Sequence, residues 1–203
     1  MKQLIVSLLG VFLFCLNTVV VADDVHPAQQ RVEQSVNSIF NILKAEREKI
    51  QQDRAYQDQI VAKYVTPYLD FEGMSKLAVG KNWRIATPNQ QQQLIQEFKT
   101  LLLNTYTKSL AEYSDQSIQF KPFRTGDRDD RANVFADILQ TNGPSIPMQF
   151  RLRLVGSEWL VYDIAIDGIS LVTTYRTSFT TEINRSGVEG LIASLAKKNS
   201  GGS

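Results

Sequence analysis

The chain has 203 residues, of which 43% are apolar and 21% are charged, and this composition suits a folded protein better than a disordered one. Its 22 basic and 21 acidic residues leave a formal net charge of +1, so it lacks the basic surplus that nucleic-acid binding usually requires. A single cysteine and a single histidine leave no cluster for a structural zinc site or a histidine-based catalytic triad.

Residues 1–22 have the layout of a secretory signal peptide. A basic start at Lys2 precedes an almost unbroken apolar run, and Ala22 supplies the small residue at the cleavage position. The run is also close to membrane-spanning length, so a retained single anchor is the alternative. We expect cleavage after Ala22, which would remove Cys15 and export the protein, most simply to a bacterial periplasm.

Apolar residues at three- and four-residue steps predict two helices after the signal peptide. The first extends from Pro27 to Ile50 and has one apolar stripe on an otherwise polar surface. Asp53 can cap the second helix, and Pro67 ends it. Each helix therefore has one face suited to packing on a core.

Two further helices are predicted before the hydrophobic period changes. Asp70 can cap a short helix that Gly80 ends. The clearest helix runs from Pro88 to Tyr113, because Thr87 and Gln90 fit a capping box at its start. At 1.5 Å per residue it would be about 39 Å long, so part of it is expected to extend beyond a small sheet.

Alternating apolar and polar residues then predict four consecutive β-strands. Turn residues separate the runs, which lie near residues 118–120, 134–138, 146–154 and 160–166. Short links between strands favour an antiparallel meander with one apolar face. The helical period returns after Gly168, and Gly187 is expected to separate two C-terminal helices.

These elements predict one α+β domain over residues 23–199. Its core is an antiparallel, curved sheet of four strands, or slightly more, with helices packed over the apolar face. The parts of this domain are the helical part 27–115, the sheet 117–167 and the C-terminal helices 169–198. Residues 200–203 are expected to form a flexible tail, and the protein is expected to be a monomer.

The chain offers no convincing catalytic constellation. It has no Gly-rich phosphate loop, nucleophile elbow or metal-spaced histidine pair. His26 lies in a terminal segment that is expected to fray, so we assign it no catalytic role. A binding protein without catalytic residues, metal or cofactor is therefore favoured over an enzyme, although a hydrolase that uses a pair of carboxylates stays open.

Large apolar side chains are abundant on the predicted sheet face and on the helices that cover it. A filled core is the ordinary interpretation of such a pattern. The same residues could instead line a cavity for a hydrophobic ligand. Periodicity alone does not distinguish a filled core from a lined cavity.

Eight segments, in this order and spacing, resemble one known family. They are PYLDFEGMS (67–75), LAVG (77–80), WR (83–84), ATP (86–88), FKTLL (98–102), WLVYD (159–163), GISLVTTYR (168–176) and GVEGLI (187–192). Together they are similar to the MlaC family of periplasmic phospholipid-binding proteins, also called the toluene-tolerance auxiliary component. The resemblance covers nearly all of the chain after the signal peptide.

The resemblance implies a mixed sheet with helices around a deep hydrophobic cavity, which takes the acyl chains and leaves the head group near solvent. It implies a carrier that shuttles phospholipid across the periplasm and maintains outer-membrane lipid asymmetry. The implied partners are an outer-membrane lipoprotein complex and an inner-membrane ABC transporter with an MCE-domain ring. Phospholipid is the carried ligand, and no other cofactor is implied.

The lipid-binding residues are predicted in two steps. Carried over by motif, Tyr106, Met148 and Val172 fall where the family lines its cavity. Periodicity of the same faces extends the set to Leu102, Phe150, Leu152, Tyr162, Ile164, Tyr175 and Phe179. Lys76, Arg151 and Arg153 could meet the lipid phosphate, although ordinary surface cations are the simpler interpretation. A periplasmic chaperone, or an interaction module with an apolar cleft, is the alternative function.

Overall fold

The computed structural model describes residues 25–108, 112, 116–124, 126 and 128–201. The predicted signal peptide therefore lies outside the described residues, as do Leu110 and Tyr113 near the predicted end of the fourth helix. In the described part of the chain, no helix is both long and apolar enough to cross a membrane. The elements follow the predicted order of helices, then an antiparallel sheet, then helix.

The first predicted helix is broken at Glu46. It consists of α1 (Pro27–Ala45) and α2 (Arg47–Gln52). Glu46 has φ −126° and ψ 31°, outside the helical region. The break allows Ile50 to pack against α3 (Arg54–Tyr64) in a small apolar cluster. Because the apolar period continues across the break, the sequence pattern did not predict it.

His26 is packed at the start of α1, and the prediction that its segment frays is wrong. Its Nδ1 accepts a hydrogen bond from the Ala28 N–H at 3.1 Å. Its ring stacks on Phe123, with ring centroids 4.1 Å apart, and meets Trp159 edge-on. Burial lowers the pKa of the imidazole, which agrees with a neutral ring that accepts a hydrogen bond.

The predicted starts of the next three helices are confirmed. Asp53 and Asp70 cap α3 and α4 (Phe71–Val79) through their side-chain carboxylates. Thr87 begins α5 (Pro88–Thr107) with the predicted capping box. Short 3-10 helices occupy Thr66–Tyr68 and Gly80–Ile85, before and after α4.

The sheet has five strands, all antiparallel, in the order β1-β2-β3-β4-β5. They are β1 (Ser117–Phe120), β2 (Arg131–Leu139), β3 (Ile146–Val155), β4 (Glu158–Ile166) and β5 (Ile169–Ser170). The first four are the predicted strands. The fifth forms because Asp167 and Gly168, with φ 51° and 77°, make a tight turn after β4. The predicted α+β fold class is therefore confirmed.

A β-bulge between β3 and β4 changes which residues of β4 face the core. Leu152 pairs with Val161, where a regular register after Arg151 would pair it with Tyr162. Val161 and Leu152 are both buried in the sheet core. Tyr162 is displaced to the other face, where its ring lies 5.7 Å from the Arg131 guanidinium.

The C-terminal helix α6 (Thr174–Ser200) is kinked at Gly187. Gly187 has φ 72° and ψ −179°, which divides the helix at the residue predicted to separate two helices. Ser200 belongs to the helix rather than to a tail, because the helix ends only at Gly201. Residues 202 and 203 lie outside the described residues.

Two main apolar clusters fill the interior of the described structure. One packs α1 against the sheet, with Leu152 fully buried at its centre. The other joins α4, α5 and α6 around Phe98. Leu69, in the segment between α3 and α4, contacts both clusters. The space where the sheet, α3 and α5 meet is not filled by either cluster.

Candidate functional site

An apolar cavity of about 260 Å³ lies between the sheet and the helices. Three helices, two strands, the segment between α3 and α4 and the segment after β5 contribute to its wall. The lining residues are Val61, Val65, Leu69, Met74, Leu102, Leu103, Tyr106, Thr107, Met148, Ile164, Ile166, Leu171 and Val172. Among these residues none is charged, so the cavity suits a hydrocarbon ligand.

The helical and strand periods place the lining side chains of each element on one face of that element. On α5, Leu102 and Tyr106 are four residues apart, so they lie on one helix face. On β4, Ile164 and Ile166 are two residues apart, and Met148 of β3 pairs directly with Ile166. The helix face and the sheet face therefore form opposite walls of the cavity.

Tyr106 stands at the solvent side of the cavity. It is 37% exposed, whereas Leu102 and Val172 deeper in the wall are buried. Desolvation, together with a hydrogen bond and charge interaction with Tyr175, raises the pKa of Tyr106 to about 12. The tyrosine therefore stays neutral at physiological pH, with its ring on the cavity wall and its hydroxyl hydrogen-bonded to Tyr175.

A second cavity, of about 120 Å³, lies between α1 and the sheet. It shares Val65, Leu69 and Ile164 with the first cavity, so these three side chains form a common wall. The other lining residues are Arg31, Val32, Ser35, Val36, Ile39, Tyr68, Phe150 and Val161. Unlike the main cavity, the second one has a charged group at its edge.

The structure brings six of the predicted lipid-binding residues to these cavities. Leu102, Tyr106, Met148 and Val172 line the main cavity, Phe150 lines the second, and Ile164 lines both. That these side chains contact a lipid stays a prediction, as does the deep ligand-filled cavity.

The other four predicted residues line neither cavity, and that they contact a lipid also stays a prediction. Leu152 is fully buried in the sheet core. Tyr162 is on the opposite face because of the β-bulge. Tyr175 and Phe179 pack their rings against Phe98, each with centroids 5.2 Å from it, and so fill the helical core.

Sequence reasoning missed part of the wall that comes from α3 and the segment after it. Val61 and Val65 are four residues apart, and Leu69 follows the Pro67 that ends the helix pattern. Their helical spacing was available as a signal. Their position opposite β4 could not be predicted from this spacing, because it depends on the path of the segment between α3 and α4. That segment reaches β4 at Asp70, whose N–H donates to the Val161 carbonyl at 2.8 Å.

The three cations considered for a lipid phosphate are all held in ion pairs. Arg151 contacts the fully buried Asp163 at 3.1 Å. Arg153 donates from Nη2 to Asp70 at 2.9 Å, and Lys76 pairs with Glu72. None of the three lines either cavity. Among the described residues, no group of three or more His, Cys, Asp and Glu side chains is placed to hold a metal ion.

Comparisons with known proteins agree on one family. The model of the MlaC protein family matches residues 33–197. Toluene tolerance protein ttg2D of Pseudomonas putida is 29% identical over 174 residues, which cover 82% of this chain and 80% of that protein. The intermembrane phospholipid transport system binding protein MlaC of Haemophilus influenzae is 26% identical over 172 residues, covering 83% of this chain and 80% of that protein.

A solved structure has the same fold. The phospholipid-binding protein from Ralstonia solanacearum, determined in complex with a phospholipid, matches with a TM-score of 0.77 and 32% sequence identity. The match covers 87% of this chain and 99% of that chain. The mixed helical and antiparallel architecture described above is therefore that of a phospholipid-binding protein fold.

Proposed function

The chain belongs to the MlaC family, and on that premise we propose that it binds phospholipid, with the acyl chains in the main cavity. The observation that carries the proposal is the uncharged, almost wholly hydrocarbon lining of that cavity. The similar Ralstonia solanacearum protein, which has a phospholipid bound, supports the same ligand class. No catalytic group is required for such a role.

Burial of the acyl chains supplies the driving force. Hiding the roughly 30 methylenes of a two-chain lipid from water is worth on the order of 25 kcal/mol, at about 0.8 kcal/mol each. A bilayer offers nearly the same gain, so exchange between bilayer and cavity is close to balanced. The protein therefore removes the barrier of transit through water, and net direction comes from its partners.

The cavity must widen, or the chains must extend beyond it, when a whole lipid binds. Its volume of about 260 Å³ is below the range of about 300–1,000 Å³ that is typical of small-molecule sites. We expect the route outward to pass Tyr106, which lines the cavity and is 37% exposed. The head group would then stay outside the hydrocarbon wall.

We propose the finer role that the family resemblance implies. The protein is exported to the periplasm by cleavage after Ala22 and shuttles phospholipid as a monomer. It exchanges lipid with an outer-membrane lipoprotein complex and with an inner-membrane ABC transporter that has an MCE-domain ring. This exchange maintains outer-membrane lipid asymmetry.

A charge placed in the cavity tests the proposal. We expect Met148→Glu to lose bound phospholipid, because a buried carboxylate is costly beside hydrocarbon chains. Gln149→Glu is the matched control, because the neighbouring side chain lies on the opposite face, where it donates to Asn133 at 2.9 Å. Phospholipid in both purified variants is quantified by extraction and mass spectrometry, with folding checked by circular dichroism.

The possible outcomes separate the functions. Retention of phospholipid in a folded Met148→Glu variant contradicts binding in the main cavity. A wild-type protein that carries no phospholipid but protects unfolded proteins from aggregation would indicate the chaperone alternative. Release of free fatty acid from the bound lipid, abolished by a carboxylate-to-amide change, would indicate a hydrolase.

A further inference from the structure

The second cavity has a polar end and an apolar interior. Val32 and Val161 are buried in its wall, whereas Arg31 and Tyr68 are only partly buried. The hydroxyl of Ser35 is already used, since it donates to the Tyr64 carbonyl at 2.7 Å. The remaining charged donor at the polar end is the guanidinium of Arg31.

The contacts of Arg31 are long for a charged group. Its Nη2 lies 3.4 Å from the Pro67 carbonyl and 3.5 Å from Glu158 Oε2. Charge-assisted hydrogen bonds are normally about 2.7–2.9 Å long, and Glu158 is 61% exposed, so this pair is weak. The Nε of Arg31 is buried and has no hydrogen-bond partner among the described residues.

Arg151 and Arg153 differ from Arg31 in this respect, and Arg54, whose Nη1 is also buried without a hydrogen-bond partner in the described part of the chain, lines neither cavity. Arg153 donates from both Nε and Nη2 to the buried carboxylate of Asp70. Arg151 contacts Asp163, which is fully buried. Arg31 has no such carboxylate. An unpaired buried donor is unusual in proteins and calls for a partner.

The Arg31 guanidinium lies over the ring of Tyr68 at the edge of the cavity. Its Cζ lies 4.3 Å from the centroid of the Tyr68 ring, a cation–π distance. A planar guanidinium held in this way can bind a carboxylate or a phosphate with two hydrogen bonds. The adjoining apolar wall would then receive a hydrocarbon chain attached to that anion.

We propose that Arg31 and the second cavity bind an anionic amphiphile with one acyl chain, such as a fatty acid or a lysophospholipid. The proposal rests on the proposed function for its ligand class, a lipid, and adds a second point of entry with a head-group contact. Because the cavity of about 120 Å³ is too small for a long chain, the chain displaces the shared wall of Val65, Leu69 and Ile164 and continues into the main cavity. Its occupancy therefore competes with that of phospholipid.

Calorimetric titration of the full-length protein and its variants tests the site. The probes are oleate, lysophosphatidylglycerol and the uncharged oleyl alcohol, each below the concentration at which it aggregates. We expect Arg31→Gln to weaken the binding of an anionic probe at least about tenfold, because a charge-assisted hydrogen bond is lost. The affinity for oleyl alcohol should not change.

Two further variants make the test specific. Arg185→Gln is the matched control, since Arg185 is exposed, pairs with Glu182 and lines neither cavity. It should leave every affinity unchanged. Glu158→Gln should tighten the binding of anionic probes a few-fold, because it removes a carboxylate that lies 3.5 Å from Arg31.

The outcomes decide between this site and the proposed function. If Arg31→Gln weakens only the binding of oleate, the site binds a carboxylate. If it weakens only the binding of lysophosphatidylglycerol, the site binds a phosphate. Either result supports the site. Equal affinities of wild type and Arg31→Gln for both anions, in a protein that still carries phospholipid, overturn this inference alone. If the wild type carries no phospholipid and binds no probe, both this inference and the proposed function fail.

Discussion

The main cavity and the helical core beside it are both built from apolar side chains, yet only the helical core is filled. In the helical core the rings of Phe98, Tyr175 and Phe179 meet at centroid distances between 5.2 and 5.7 Å. The cavity wall is mostly aliphatic and leaves about 260 Å³ open. Side-chain shape and the spacing of elements, rather than hydrophobicity alone, therefore decide whether an apolar region can receive a ligand.

Truncation of the filled region should have the largest effect on stability. Phe98→Ala is expected to lower the free energy of unfolding by about 3–5 kcal/mol, because the buried ring leaves a cavity among its neighbours. Leu103→Ala in the cavity wall should cost less than about 2 kcal/mol, because Leu103 already borders empty space. Urea unfolding followed by circular dichroism measures both, and equal losses would contradict the distinction between the two regions.

A buried carboxylate holds one wall of the cavity in place. Asp163 is fully buried, accepts from the Ser170 hydroxyl at 2.8 Å and from the Val172 N–H at 3.3 Å, and pairs with Arg151. We expect Asp163→Ala to cost about 2 kcal/mol, because these donors lose their acceptor. The same change should reduce bound phospholipid, since Val172 lines the cavity.

Asp137→Ala is the control for this change. Asp137 is partly exposed and pairs at 2.9 Å with the exposed Lys121, so its loss should cost about 1 kcal/mol, less than the loss of the fully buried Asp163. Denaturant unfolding and lipid quantification are measured on both variants. An Asp163→Ala protein with wild-type stability and lipid content would show that this carboxylate does not support the wall.

Filling the open region should separate stability from binding. Leu103→Trp places a larger ring in the main cavity, so we expect bound phospholipid to fall sharply while stability changes by less than about 1.5 kcal/mol. Leu154→Trp, at an exposed position that lines neither cavity, should leave both properties unchanged. Full lipid content in Leu103→Trp would mean that the ligand lies elsewhere.

The smallest predicted effect is a pH dependence at the start of α1. Burial lowers the pKa of His26 in the folded protein below its ordinary value of 6.5. At a pH between the folded and unfolded pKa values, the unfolded chain therefore binds more protons than the folded protein. The stabilising contribution of the neutral ring is therefore complete above about pH 6.5 and is lost as the pH falls through the lowered pKa. We expect it to be less than about 1 kcal/mol.

His26→Asn tests this pH dependence, because asparagine is also a good helix cap but does not titrate. Unfolding free energies are measured from pH 7.5 down to pH 5 in the wild type and the variant. The part of the slope that is due to His26 should disappear in the variant. Identical slopes in the two proteins would contradict the assignment.

The starts of helices and the kink in the last helix were predicted correctly, because a single capping residue or glycine produces each of them. The carboxylates of Asp53 and Asp70 and the capping box at Thr87 start their helices as expected. Gly187 kinks the last helix because its φ of 72° is accessible to glycine. These features depend on interactions within a few residues of the chain, and the sequence contains all of them.

Features that depend on contacts between distant segments were not predictable in the same way. The bulge that moves Tyr162 away from the core arises from pairing between two strands, while the alternation within β4 shows no irregularity. The break at Glu46 lies within a continuous apolar stripe. The rings of Tyr175 and Phe179 were predicted to line the cavity because their helical period is right, but they fill the neighbouring core.

Native mass spectrometry of the gently purified wild-type protein shows whether the protein carries phospholipid. We expect a population whose mass exceeds that of the polypeptide by the mass of a phospholipid, which collisional activation releases as an intact lipid. A spectrum that contains only the mass of the bare polypeptide would contradict phospholipid binding by this protein.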